Sequence, residues 1–189
     1  ENRDSFELTP EESKLLEDEY LGFIRSGIGL SPEDKEKLRA LNSELSLLGV
    51  KFGENLLAET NGFTLVIDNE QDLSGLPEGL RTQAAEAAKA KGMEGKWLFT
   101  LQAPSYFPFM TYADNRALRE KMFRGYSLRG NNGNANDNNQ ILADIIRLRV
   151  EKARLLGYES HADFVLERNM AKEPETVLNF LAQIWEAAL

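Results

Sequence analysis

From Pro32 to about Ala58 the apolar residues Leu38, Leu41, Leu45, Leu48, Phe52 and Leu56 recur at intervals of three or four, with polar residues between them. That spacing draws one stripe along an α-helix and does not fit a strand, whose faces alternate at every second residue. So long a helix, apolar on one side only, must lay that side against other elements. The stripe therefore commits the chain to an architecture in which helices pack on helices.

Helix-start chemistry recurs on both sides of it. Thr9-Pro10-Glu11-Glu12 places a hydroxyl at the N-cap, Pro at the first helical position and Glu where a capping box needs it, and Ser31-Pro32-Glu33-Asp34 repeats the device with a shorter acid. The first helix is expected to bury Leu16, Tyr20, Phe23 and Ile24 and to stop at Gly27 or Gly29. With so short a connection the two helices should form an antiparallel hairpin. The period then changes. Phe63–Ile67 and Trp97–Leu101 read as short buried strands that pair, their relative direction left open, with an Ala-rich helix from Pro77 to Lys91 between them. A helix beginning at Pro104 accommodates Pro108 better than a central strand would.

Further helices follow. Asp114 is expected to cap one carrying Leu118, Met122 and Tyr126, and Asp137 one carrying Ile141, Ile145, Leu148 and Leu155 up to Gly157. The Asn- and Gly-rich stretch at about 129–136 reads as a flexible loop between them. Ser160-His161-Ala162-Asp163 is a third capping box, and a last helix starts near Pro174 with Val177, Leu181, Ile184 and Ala188 on one stripe and Leu178 and Trp185 beside it. That helix has no C-cap signal before Leu189, which leads us to expect a chain cut within a longer protein. The fold class is mainly α: antiparallel helices, a helical hairpin plus further helices, and a small two-strand β element. Residues 1–189 are expected to form a single helical module.

Composition narrows the chemistry. The 189 residues carry a formal net charge of −9, one His and no Cys. The acidic balance argues against a nucleic-acid surface, which needs clustered Lys and Arg. Without Cys there is no thiolate nucleophile, disulfide framework or zinc finger, and a single imidazole cannot complete any mechanism that needs two. Glu1-Asn2-Arg3-Asp4-Ser5 has neither the basic nor the apolar region of a signal peptide, and no apolar run approaches the ~20 residues of a membrane span.

The candidate groups each have a structural explanation. His161 opens a helix beside Ser160 and lacks the Glu and second His of a His-Glu-x-x-His motif. Glu11-Glu12, Asp34-Glu36 and Glu173-Glu175 lie at helix N-termini, where the dipole favours them. There is no Gly-x-Ser-x-Gly elbow, and Gly130-Asn131-Asn132-Gly133-Asn134 lacks the Lys and hydroxyl of a phosphate loop. As a calcium loop it offers only Asp137 as a nearby carboxylate. The basic group Arg116, Arg119, Lys121, Arg124 and Arg129 is suited to a polar helix face that could dock carboxylates of a partner domain. No catalytic, cofactor-binding or metal-ligating residue is assigned.

Specific strings carry a resemblance. The run from Phe99-Thr100-Leu101-Gln102-Ala103-Pro104-Ser105-Tyr106 through Phe107-Pro108-Phe109-Met110-Thr111-Tyr112-Ala113-Asp114-Asn115-Arg116 to Tyr126 resembles the zinc oligopeptidase family of thimet oligopeptidase, neurolysin, oligopeptidase A and bacterial peptidyl-dipeptidase (dipeptidyl carboxypeptidase). Leu41-Asn42-Ser43-Glu44-Leu45-Ser46, Lys51–Leu57, Leu76-Pro77, Leu155–Tyr158 and Met170-Ala171-Lys172 fit the same family, with the peptidyl-dipeptidase branch favoured. The resemblance implies a mainly helical enzyme whose two lobes flank a channel for short peptides. It implies a zinc ion on a His-Glu-x-x-His helix plus a downstream Glu, all C-terminal to this region, polarising the scissile carbonyl and activating water. This chain would then be a non-catalytic segment forming part of one lobe, inactive alone, without cofactor of its own. Its partners would be the zinc-bearing lobe and, in the intact enzyme, short peptides, with no nucleic acid and no membrane. For the Tyr106–Tyr112 segment core packing is the favoured reading, with channel lining as its alternative. Cytoplasmic location is expected, with the periplasm open. The competing reading is a free-standing helical adaptor that binds a partner helix.

Overall fold

Capping chemistry sets where the first helix starts. In the computed structural model, which describes residues 6–189, the Thr9 hydroxyl accepts from the Glu12 amide while the Glu12 carboxylate accepts from the Thr9 amide at 2.9 Å. The resulting helix α1 (Pro10–Arg25) ends as the chain turns at Gly27. The pentapeptide Glu1–Ser5, read for targeting signals, lies outside the described residues. Helix α2 (Pro32–Gly62) begins where Ser31 Oγ accepts from the Asp34 amide and runs a turn beyond the expected end. There follow strand β1 (Leu65–Ile67), a 3₁₀ turn (Glu70–Leu73), α3 (Glu78–Ala90), strand β2 (Trp97–Phe99), α4 (Ala103–Tyr112), α5 (Arg116–Ser127), α6 (Asn139–Leu155), α7 (His161–Leu166) and α8 (Pro174–Ala188). The architecture is mainly α with one two-stranded sheet, as the sequence pattern predicts.

The described residues divide into two compact units, Leu48–Ala143 and residues 6–47 together with Asp144–Leu189. In the Leu48–Ala143 unit β1 and β2 pair antiparallel, Leu65 opposite Phe99 and Ile67 opposite Trp97. Leu65 and Ile67 face inward while Val66 faces out. The ladder is shorter than either apolar run, because Phe63 and Leu101 have left the strands and pack on the core instead. That core is built from Leu73, Leu76, Leu80, Phe99, Phe109 and Met122, with Phe99 and Phe109 edge to face at 4.7 Å between ring centroids. Such a pair contributes about 1 kcal/mol beyond its burial.

Two capping expectations need correction here. Asn115, not Asp114, is the N-cap of α5, accepting from the amides of Ala117 and Leu118. Asp114 is instead engaged by the Ser74 hydroxyl at 2.6 Å, and its amide donates to the Ser74 carbonyl. Gly75 makes that approach possible. Its φ is +83°, and a Cβ there would lie 2.1 Å from the Tyr112 carbonyl oxygen. Asp137 likewise does not cap α6 in the ordinary way; it accepts from the amides of Asn139 and Gly133 and ties the preceding loop to the helix start.

The other unit has a small interior of Leu38, Leu148 and Ala153. Its tightest feature is Arg25 at the end of α1. The guanidinium pairs with Glu167, donates to the Tyr158 hydroxyl at 3.2 Å and to the Phe164 carbonyl at 2.6 Å, and lies 4.1 Å from the Phe164 ring centroid. The expected burial of Leu16, Tyr20, Phe23 and Ile24 is not observed: α1 buries no residue, and these four are 40–62% exposed. The helix forms as its period predicts, but among the described residues nothing buries that face.

Candidate functional site

The Pro-constrained aromatic segment divides between interior and surface. α4 starts with Pro104 in its first turn and carries Pro108 inside it. Its helical spacing turns Tyr106 and Phe109 inward and leaves Phe107 and Tyr112 exposed at 54% and 52%. Tyr106 stacks on Tyr126 of α5 with centroids 4.1 Å apart, and burial pushes its hydroxyl above the usual phenol range. On the Tyr126 ring lies the Arg129 guanidinium, 3.7 Å from the centroid, which also donates to the Thr60 hydroxyl at 2.7 Å. Half of the candidate channel segment is therefore core, and half is available to line a surface.

The five basic residues do not act together. Arg119 donates to the carbonyls of Ala113 and Asp114, closing the turn before α5. Arg124 pairs with Glu120 one turn earlier at 2.7 Å, and Arg129 is committed to Tyr126 and Thr60. Arg116 and Arg119 border one shallow hollow with Met110 and Phe123. Lys121 and Arg124 border another.

That second hollow is an open groove of about 460 Å³ lined by Glu59, Phe63, Leu65, Lys121, Arg124 and Leu128. Its floor is apolar, and its margin carries two cations and one carboxylate. Glu59 accepts from the side-chain amides of Asn134, at 2.6 Å, and Asn132. The Asn134 amide, chiefly, holds the Glu59 carboxyl below its usual range. Asp137 is lowered too, first by the Asn139 amide and then by that of Gly133. So the stretch at about 129–136, read from sequence as flexible, is tied by hydrogen bonds to α2 and to the start of α6. Beneath it Asn55 and Asn138, both buried, bond side chain to side chain at 2.9 Å, and Asn138 donates to the Phe52 carbonyl at 3.1 Å.

Sequence reasoning missed Glu59, Asn55 and Thr60. Asn55 had a signal, a polar amide on the inward side of a leucine stripe. Glu59 had none, since its partners lie 73 and 75 residues away.

His161 is a helix-start residue. Ser160 and Asp163 form the capping box around it, and its ring lies 6.3 Å from that of Phe164. Its Nδ1 is buried without a hydrogen-bond partner. Burial, then the charges of Arg149 and Lys152, hold the imidazole below its ordinary pKa. Glu12 and Asp34 complete caps, as their positions suggest. Among the described residues no three His, Asp or Glu side chains converge to hold a metal. The described residues therefore do not fit a zinc site. No helix among them is long and apolar enough to cross a membrane.

Together the residues around Glu59 form an apolar groove with charged margins, and α4 adds an outward aromatic pair. Relatives of the chain place that surface in context. Residues 109–189 match the model of peptidase family M3. Oligopeptidase A of Haemophilus influenzae is 41% identical over 94% of this chain, which covers 26% of that relative. Oligopeptidase A of Escherichia coli is 39% identical over 96% of the chain, covering 27% of the relative. Dipeptidyl carboxypeptidase of Escherichia coli is 35% identical over the whole chain, covering 28% of the relative. The chain thus spans about a quarter of the length of these curated relatives. By its sequence, the chain belongs to peptidase family M3.

Proposed function

We propose that this chain is a non-catalytic segment of a short-peptide hydrolase, forming part of a lobe beside the substrate channel. One observation carries the reading. Nearly the whole chain aligns with oligopeptidase A, yet it accounts for only 26–27% of that protein, and its described residues bring no metal ligand set together. The chemistry is then supplied by polypeptide outside this segment, on a zinc-binding His-Glu-x-x-His helix of the parent. Peptidyl-dipeptidase and oligopeptidase action are both represented among the relatives' names, and release of dipeptides is the activity we assign. The partners are the zinc-bearing lobe and short peptides, and not nucleic acid or a membrane. The parent works in the cytoplasm. The outward pair Phe107 and Tyr112 supports a wall role, because exposed aromatics on a rigid Pro-containing helix suit contact with apolar peptide side chains.

The test begins with the reading frame that encodes this chain. A downstream His-Glu-x-x-His motif in frame, and zinc-dependent dipeptide release from short peptides by the full-length product, are expected. The isolated chain should bind no stoichiometric zinc by elemental analysis and cleave nothing. A stop codon soon after Leu189 would instead favour a free-standing helical adaptor.

A further inference from the structure

The helices at the two ends of the chain carry apolar stripes that no described residue covers. On α8, Leu178, Leu181, Ile184 and Trp185 follow one another at helical spacing and are 48–65% exposed, and the helix buries no residue at all. On α1, Tyr20 and Phe23 are 62% and 56% exposed. Both helices meet α7, α1 through Arg25 on Phe164 and α8 by direct packing. Contiguous apolar surface of this kind marks an interaction site, not a solvated face.

Charge and length select the occupant. α8 has acidic Glu175 and Glu186 and no basic residue, and α1 sets Glu11, Glu12, Glu17, Asp18 and Glu19 against Lys14 and Arg25. Within a chain of net charge −9, bringing these helices onto their own copies would oppose like charges. The curated relatives, by contrast, are about four times as long as the stretch they share with this chain. We infer that the α1 and α8 stripes form an intramolecular interface that docks on the remaining polypeptide of the parent peptidase, against a surface apolar at its centre and basic at its rim. This rests on the proposed function and adds to it the face through which the segment joins the rest of the enzyme.

The experiment uses the full-length parent protein. Tyr20→Cys and Trp185→Cys are made singly in a background without other accessible thiols, and alkylation rates are compared with those of the same variants in denaturant. Protection of at least tenfold is expected in the monomeric full-length protein, with little in the isolated segment. Hydrogen exchange of the α8 amides in the unaltered full-length protein should show the same contrast and needs no substitution. Thiols that label within twofold of the denatured rate, with unprotected α8 amides, would overturn the proposal. So would equal protection in the isolated segment accompanied by a doubled mass, which would identify a second copy as the occupant. Hydrolysis of short peptides, assayed in parallel, reports on the family function alone. Activity with exposed stripes sinks the interface and keeps the peptidase, and protection without activity does the reverse.

Discussion

Arg25 lies against the ring of Phe164, its guanidinium carbon 4.1 Å from the centroid, while the same group donates to the Phe164 backbone carbonyl at 2.6 Å. One side chain thereby fixes the end of α1 to α7, and its pair with Glu167, together with the Tyr158 hydroxyl, completes the node. The guanidinium is planar and multidentate, and Lys offers one point charge in its place. Arg25→Lys is therefore expected to destabilise the full-length protein by about 2 kcal/mol, and Arg25→Ala by about 3 kcal/mol. Urea unfolding followed by circular dichroism measures both. Equal stability of all three proteins would show that the node is ornamental.

The buried amide pair of the other unit makes a different demand. Asn138 accepts from Asn55 and donates to the Phe52 carbonyl, so truncating it strands two polar groups at once. Asn138→Ala should cost about 2–3 kcal/mol. Asn55→Leu leaves one Asn138 oxygen without that donor and should cost less. A double-mutant cycle between the two positions tests the coupling, and additive losses would contradict it.

Local chemistry was legible in the sequence, and partner identity was not. Thr9 and Ser160 cap as read because the atoms that satisfy them lie three residues away. Asp114 was misread because its partner, Ser74, is brought to it by the fold from 40 residues earlier. The direction of β1 against β2 was open for a similar reason, since the long connection through α3 permits either. Periodicity identified α1 and α8 but could not say what covers their stripes. The family was readable from contiguous strings around Phe99–Tyr126. The groove at Glu59 was invisible, because its two sides come from α2 and α5 with no local pattern joining them.

Gly125 forms part of that groove's wall, and its missing side chain is a packing requirement. A Cβ there would lie 2.4 Å from the Phe63 ring. In an open helix Gly→Ala stabilises by roughly 1 kcal/mol, so the sign discriminates. Gly125→Ala should destabilise by about 1–2 kcal/mol through overpacking, and Phe63→Leu in the same protein should recover most of the loss. Thermal denaturation of the single and double variants reads this directly. A more stable Gly125→Ala protein would mean that Phe63 moves aside freely.

His161 predicts a pH dependence whose sign follows from its surroundings. Burial, then Arg149 and Lys152, place its folded pKa below the ordinary 6.5. The unfolded chain therefore binds the proton first as pH falls. Stability from this group is fully present above 6.5 and declines as pH drops toward the folded value, below which the slope ends. Glu167 acts in a lower window. The Tyr158 hydroxyl, then Arg25, depress its carboxyl below 4.5, so its contribution is present above 4.5 and is lost as pH falls through the folded value. The two are separable by substitution. His161→Phe keeps a ring beside Phe164, removes the buried unpartnered Nδ1, and should add on the order of 1 kcal/mol at pH 6 while flattening the slope just below 6.5. Glu167→Gln should leave that slope intact and flatten the one below 4.5. Urea midpoints measured from pH 8 to about pH 2.5 on the full-length protein decide it, and an unchanged slope in His161→Phe would assign the titration to another group.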